Sequence, residues 1–129
     1  MAKRVGVIGG GQLARMMTPP AINLGLELKV LAEAENSSAA MATTMVGDYT
    51  QFEVVAEFAK TVDVITFDHE HVPSHVLDLL VAEGVTLHPH PEALHFAQDK
   101  LAMRERLTAL GVPCPRWARA DTAADVTAF

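Results

Sequence analysis

The sequence predicts an α/β fold, a doubly wound domain around a parallel sheet, on three observations. Short apolar runs alternate with stretches whose apolar residues recur at helical spacing. The first run, "VGVI", stops at three glycines and passes directly into a helical pattern. The run "VDVITF", residues 62–67, is nearly all apolar before it ends in polar residues, the pattern of a parallel strand buried on both faces.

Taken in order, Arg4 to Ile8 read as the first strand, followed by the glycine turn and a helix from Gln12 towards Leu24. A kink or break is expected at Pro19 and Pro20, because proline lacks the amide hydrogen and crowds the preceding turn. Leu28 to Ala32 form a second strand with Glu33 at its carboxyl end, and "TTMVGD" a short third. Phe52, Val55, Ala56 and Ala59 then fall on one helical face. After the 62–67 strand, Pro73 and Ser74 open a helix with Ser74 as N-cap and Val76, Leu77, Leu80 and Val81 as its buried stripe. "GVTLHP" reads as a fifth strand.

Beyond His88 the rhythm changes. "PEALHFAQDKLAMRERLTALG" makes one or two helices with Phe96, Met103, Leu107 and Leu110 on a common side. Gly111 stops them, and Pro113 and Pro115 prevent resumption. "PRWAR" is expected to be a strand that begins something new, and "DTAADVTAF" the start of a further helix, so the chain reads as the front of a longer protein.

Half of the 129 residues are apolar and a fifth charged, as in one soluble domain with its own core. Ten Lys and Arg against 16 Asp and Glu leave a net charge of −6, which argues against general affinity for nucleic acid or an anionic membrane. No apolar run approaches the roughly 20 residues of a membrane span, and glycines interrupt the N-terminal stretch where a signal peptide needs a continuous apolar core. A cytoplasmic location is expected. The single cysteine, Cys114, excludes an internal disulfide and a thiolate metal cage within one chain.

Gly9-x-Gly11-x-x-Ala14 satisfies the G-x-G-x-x-G/A pattern between a strand and a helix. Such glycines let backbone approach a ligand while the helix N-terminus offers amide hydrogens to an anion. Three uses stay open on this stretch: a dinucleotide's pyrophosphate, with Glu33 on a ribose; another ligand; or packing of a tight β-turn-α unit. Gln12, at the helix start, has an amide suited to a ligand or to a solvated first turn.

"TFDHEHVPSH", residues 66–75, follows the buried strand at the sheet edge where open α/β folds bind ligands. His69 and His71, two apart on an extended segment, point the same way, and with His75 they raise a metal site. The spacing matches no zinc signature, so exposed polar residues are the simpler reading. Glu70 lies on the opposite side, with Asp68. A carboxylate there suits an amine or hydroxyl of a substrate, and Asp68 suits either acid/base work or a cap for the following helix.

Three blocks, "GVIGGGQLARMM", "DVITFDHEHVP" and "HPHPEALHFAQDKLAMRERLTALGVPCPRW", occur in the order and spacing of the 5-(carboxyamino)imidazole ribonucleotide synthases, which the chain resembles over nearly all its length. The resemblance implies a Rossmann-like pre-ATP-grasp domain over residues 1–95, then a linking helix and the beginning of an ATP-grasp module over 96–129. It also implies an ATP-dependent ligase of purine biosynthesis, in which ATP and magnesium activate bicarbonate and aminoimidazole ribonucleotide receives the carboxyl group. A full-length homodimer is implied too, with the main nucleotide and magnesium ligands beyond residue 129 and no catalysis by this stretch alone.

Residue by residue, Glu70 matches the acid of the family's E-F-E-H/N-V motif that contacts the aminoimidazole substrate. Gly10, Gly11 and Gln12 match the loop lining the same pocket. Lys100 matches a basic residue that reaches ATP, often arginine in relatives, and Arg104 a commonly basic position on a solvated helix face. Asp68 and His69 depart from the pattern, standing where relatives commonly show Glu and an aromatic residue. Pro19 and Pro20 are unusual in the first helix. The alternatives set against this resemblance are an NAD(P)- or FAD-binding oxidoreductase domain and a non-catalytic nucleotide-binding module.

Overall fold

The computed structural model describes residues 2–129. Four parallel strands, β1 (Arg4–Ile8), β2 (Glu27–Ala32), β3 (Thr43–Val46) and β4 (Val64–Phe67), lie in the order β3-β2-β1-β4. Val7 pairs with Val30 on one side and Thr66 on the other, and Ile8 with Leu31 and Phe67. Strand side chains alternate between faces, so this register sends Val7 and Val30 one way and Ile8, Leu31 and Phe67 the other.

Each face has its own core. Val7 and Val30 pack with Ala14, Ala32 and Ala39 under the first helix, α1 (Gln12–Asn23), where small residues bring helix and sheet close. Ile8, Leu31, Ile65 and Phe67 pack beneath α2 (Phe52–Ala59) and α3 (Ser74–Ala82), joined by Val55, Phe58, Val76, Leu77 and Leu80. Helices on both faces of a parallel sheet make this the doubly wound α/β fold expected.

Several local expectations are corrected. The helix α1 continues through Pro19 and Pro20 without a break, with the amide of Leu24 still donating to Pro20 O at 3.0 Å. The carbonyls that lose their partners belong to Arg15 and Met16, both exposed residues, where solvent can substitute for the missing donors. The N-cap position of α3 is Pro73, not Ser74, and Val81 lies exposed rather than in the stripe. The fifth strand shrinks to a single parallel bridge between Leu87 and Ile65, supported by hydrogen bonds from Ile65 N to Thr86 O (2.9 Å) and from His88 N to Ile65 O (2.8 Å). Gly84 turns with φ +80° just before the run, and Pro89, which has no amide to donate, ends it.

The charged segment folds as two helices, α4 (Pro91–Gln98) and α5 (Lys100–Ala109), separated at Asp99. The extended backbone of Asp99 (φ −116°, ψ 103°) lets its carboxylate cap α5 by accepting from Ala102 N at 2.9 Å. Leu110 is exposed, outside the common apolar side assigned to it. Among the described residues none after Leu94 is buried. "PRWAR" is irregular instead of a strand. A short helix, α6 (Ala123–Ala128), closes the chain with a Thr122–Asp125 capping box.

Candidate functional site at the carboxyl edge of the sheet

The strand order decides what meets at this edge. The chain leaves β1 towards β2 on one side while β4 lies on the other, so the glycine turn sits at the point where the winding reverses. Gly9 N donates to Leu31 O and Asp68 N to Ile8 O, both at 2.9 Å, which sets the residues following β2 and β4 on either side of the turn. Gly9 has φ +102°, a conformation that residues with a Cβ rarely adopt.

Asp68 caps α1, not the helix that follows it in sequence. Its Oδ2 accepts from Gly11 N at 3.0 Å and its Oδ1 from Ala14 N at 2.6 Å. Gly11 is the N-cap residue and has no side chain to fill that role, so a carboxylate from the neighbouring strand supplies it. A Cβ on Gly11 would stand 2.1 Å from Asp68 Oδ2, so this glycine admits the protein's own carboxylate.

Glu33 completes the arrangement. Its Oε2 accepts from Gly10 N at 3.1 Å and its Oε1 lies 3.0 Å from His69 Nε2. Burial raises the Glu33 pKa, but hydrogen bonds from Gly10 N, its own backbone and His69 outweigh it and hold the carboxyl below the usual range. The His69 Nδ1 accepts from His71 N at 3.2 Å, which assigns the remaining proton to Nε2 facing Glu33. The imidazole also packs as an aromatic ring, 4.8 Å from Tyr49 and 5.1 Å from His71 between centroids. His69 and His71 thus share a side as expected, yet among the described residues no group of three or more His, Cys, Asp or Glu is placed to hold a metal ion. His75 is exposed in the first turn of α3.

Glu70 is half-buried in the same loop. Its own backbone amide holds the carboxyl below the usual range against the opposing effect of burial, helped by the nearby charges of His71, Lys100 and His69. Gln12 is exposed and accepts from Ser38 Oγ at 3.4 Å. Lys100, exposed at the start of α5, donates to Ala97 O at 2.9 Å and lines a hollow of about 250 Å³ with Leu101, Arg104, Trp117, Arg119 and Asp121. That volume falls short of the roughly 300–1,000 Å³ of a small-molecule site, so a nucleotide there needs further walls.

The structure therefore gathers Gly10 and Gly11 with Glu33 and Asp68, sets Glu70 in the adjoining loop, and leaves Lys100 at the start of α5 with its ammonium on Ala97 O, where its charge still lowers the Glu70 pKa. Sequence reasoning missed Gln98, whose Nε2 donates to the carbonyls of Glu70 (2.9 Å) and Val72 (3.0 Å). Its position two residues before Lys100 in "QDK" was the available signal.

Comparison with known proteins gives this geometry a context. The family described as "Ribonucleotide synthetase preATP-grasp domain" matches residues 1–98. The N5-carboxyaminoimidazole ribonucleotide synthase of Mycobacterium leprae is 48% identical over 128 residues, 98% of this chain and 29% of that protein. The protein of the same name from Corynebacterium ammoniagenes is 47% identical over 127 residues, 97% of this chain and 31% of that one. Among solved structures, the N5-carboxyaminoimidazole ribonucleotide synthetase of Thermotoga maritima superposes with a TM-score of 0.81 at 34% identity, over 98% of this chain and 36% of that one. The Aspergillus clavatus N5-carboxyaminoimidazole synthase, solved with ADP and 5-aminoimidazole ribonucleotide, gives 0.80 at 33% identity, over 98% and 35%. This chain thus spans about 30% of the length of the curated relatives it matches. A parallel sheet in the order β3-β2-β1-β4, a glycine turn clamped from both neighbouring strands, and a family match over three quarters of the chain agree: the chain belongs to the ribonucleotide synthetase preATP-grasp domain family.

Proposed function

We propose that this chain is the N-terminal part of an ATP-dependent carbon-nitrogen ligase that carboxylates aminoimidazole ribonucleotide in purine biosynthesis. The observation that carries the reading is the juxtaposition, in a member of this family, of the glycine turn with the Glu70 loop at the winding reversal of the sheet. In the reaction, bicarbonate oxygen attacks the γ-phosphorus of ATP and ADP departs. The exocyclic amine of the ribonucleotide then attacks the carboxyl carbon of the carboxyphosphate, and inorganic phosphate leaves.

Within this scheme the ionised Glu70 accepts a hydrogen bond from the ribonucleotide, Gly10 and Gly11, packed against Ala32, Ser37 and Asp68, keep the turn tight enough to floor the substrate pocket, and the Gln12 amide donates or accepts at the rim. Lys100 supplies positive charge to ATP phosphates, assisted by Arg104. Magnesium, which neutralises phosphate charge when bound with ATP, finds no cluster of three or more ligands among the described residues. We divide the chain into a pre-ATP-grasp domain, residues 1–95, and a linking helix with the start of the ATP-grasp module, 96–129. The family match, which ends with the last residue of α4 three residues past that boundary, and the absence of buried residues after Leu94, among those described, support a division close to it.

The same reading makes the protein cytoplasmic and, at full length, a homodimer. No described helix is long and apolar enough to cross a membrane. Leu13, Met16, Ile22 and Leu24 lie exposed on and just beyond α1, whose only charged residue is Arg15, and they favour a protein partner over water.

The dinucleotide alternative meets an obstacle. Glu33, needed for a ribose, spends both oxygens on Gly10 and His69, and the Gly11 and Ala14 amides that a pyrophosphate requires already serve Asp68. The deciding experiment supplies labelled bicarbonate, ATP and aminoimidazole ribonucleotide to this chain extended to the length of its relatives. One carboxylated ribonucleotide per ADP is expected; ADP release without label in the ribonucleotide refutes the reading.

A further inference from the structure

We propose that Gln98 is a positioning residue that holds Glu70 and Lys100 in fixed relation, an inference that rests on the reading of those two as substrate and nucleotide groups. Gln98 ends α4, and its side chain reaches back 28 residues in sequence to the loop after β4. There Nε2 donates to Glu70 O at 2.9 Å and Val72 O at 3.0 Å, using both amide hydrogens. On the other side of the amide, Oε1 accepts from Ser74 Oγ at 3.4 Å.

Consider what this does to Glu70. Val72 is fully buried, so the loop is anchored in the core two residues on, while Gln98 fixes the peptide that follows the Glu70 Cα. What freedom remains belongs largely to the Glu70 side-chain torsions. The other end of the bracket is as short: Asp99 caps α5 through Ala102 N, and Lys100 is the next residue, with its ammonium turned back onto Ala97 O. Glu70 therefore hangs from Gln98 by a side-chain amide, and Lys100 hangs from it by two peptide bonds. A Gln kept only to solvate a helix end would not spend both hydrogens on carbonyls of a distant loop. An apolar residue at position 98 is expected to be costly, since both carbonyls, one of them on the fully buried Val72, would lose their partner.

The test uses the chain extended to the length of its relatives. Gln98→Met keeps the stem and deletes both donors; Gln98→Lys keeps donors for the two carbonyls. We expect the Met variant to raise KM for aminoimidazole ribonucleotide about tenfold with kcat changed less than about threefold, and the Lys variant to stay within about threefold of wild type on both. In a Glu70→Gln background the Met substitution should add less than about twofold, because its effect passes through Glu70. Equal effects in both backgrounds, or an unchanged KM, overturn the proposal. Should Gln98→Met not fold, Gln98→Asn, one methylene too short to reach both carbonyls, is read the same way. A wild type that does not carboxylate the ribonucleotide overturns the functional reading and this proposal with it, whereas an active wild type with additive variants overturns this proposal alone.

Discussion

Replacing Asp68 by alanine removes the clamp on the glycine turn while leaving both strands and the α1 sequence intact. Two bonds are lost, from Gly11 N at 3.0 Å and Ala14 N at 2.6 Å, each to an acceptor that carries charge. Hydrogen bonds to charged groups contribute about 1.5–3 kcal/mol and loss of an N-cap costs about 0.5–2 kcal/mol. The two freed amides lie in a half-buried region where water reaches them in part, so the costs do not add in full. A loss of about 2–3 kcal/mol follows, and with a urea m-value of about 2 kcal/mol/M the unfolding midpoint drops by roughly 1–1.5 M. Asp68→Asn keeps one acceptor oxygen but loses the charge and turns an NH2 group towards an amide, and should recover about half of the loss. The assay is urea unfolding of the 129-residue chain followed by circular dichroism. A shift below about 0.5 kcal/mol for the alanine variant, or an Asn variant less stable than alanine, refutes the assignment of Asp68 as the α1 cap.

Gly11→Ala acts on the same clamp from the other side. The backbone there (φ −80°) suits alanine, so the cost of about 1–3 kcal/mol comes from displacing the Asp68 carboxylate and should largely vanish in an Asp68→Ala background, as a double-mutant cycle in urea will show. Hydrogen bonding from the Arg4 side chain and backbone holds Asp63 at a pKa of about 2. Because this folded-state value is depressed, the stabilisation is complete above the ordinary carboxylate range and disappears as pH falls through it towards about 2. Thermal midpoints of wild type and Asp63→Asn should therefore converge on acidification, and parallel curves from pH 7 to pH 2 contradict the pairing. Glu33 has the same sign, so Glu33→Gln should lose stability at neutral pH relative to wild type and approach it in acid. On the proposed function, in the chain extended to the length of its relatives, Glu70→Gln should raise KM for aminoimidazole ribonucleotide, and Lys100→Ala should raise KM for ATP, each by about tenfold with the thermal midpoint unchanged. A change in stability alone would make either residue a surface group.

Local features were legible in the sequence. Continuous apolar runs placed β1, β2 and β4, and helical spacing most of the helices, since both are properties of neighbouring residues. The glycine turn was recognisable by its residue types, and its place at the sheet edge followed from the parallel topology. The partner of Asp68 was not legible. Its targets lie more than 50 residues earlier and become neighbours only because β4 pairs with β1, a fact of strand order. Glu33 was marked out by position alone, and the structure turns its carboxylate onto Gly10 and His69 instead of leaving it for a ribose. Pro19 and Pro20 did not end α1: the carbonyls they orphan belong to the exposed residues Arg15 and Met16, an exposure that propensity does not encode. Gln98 escaped notice for the same reason as Asp68, since an amide has no preferred partner until the fold brings two carbonyls within reach.

On the proposed function, the glycine turn and the Glu70 loop form one face for an aminoimidazole ribonucleotide. Amide NMR of the chain extended to the length of its relatives, titrated separately with that nucleotide and with NAD, is the test. Saturable shifts confined to Gly10, Gly11, Gln12 and residues 69–71 with the ribonucleotide, and none there with NAD, are predicted. Shifts of the same amides by NAD, or a ribonucleotide that leaves them unmoved at millimolar concentration, would contradict it.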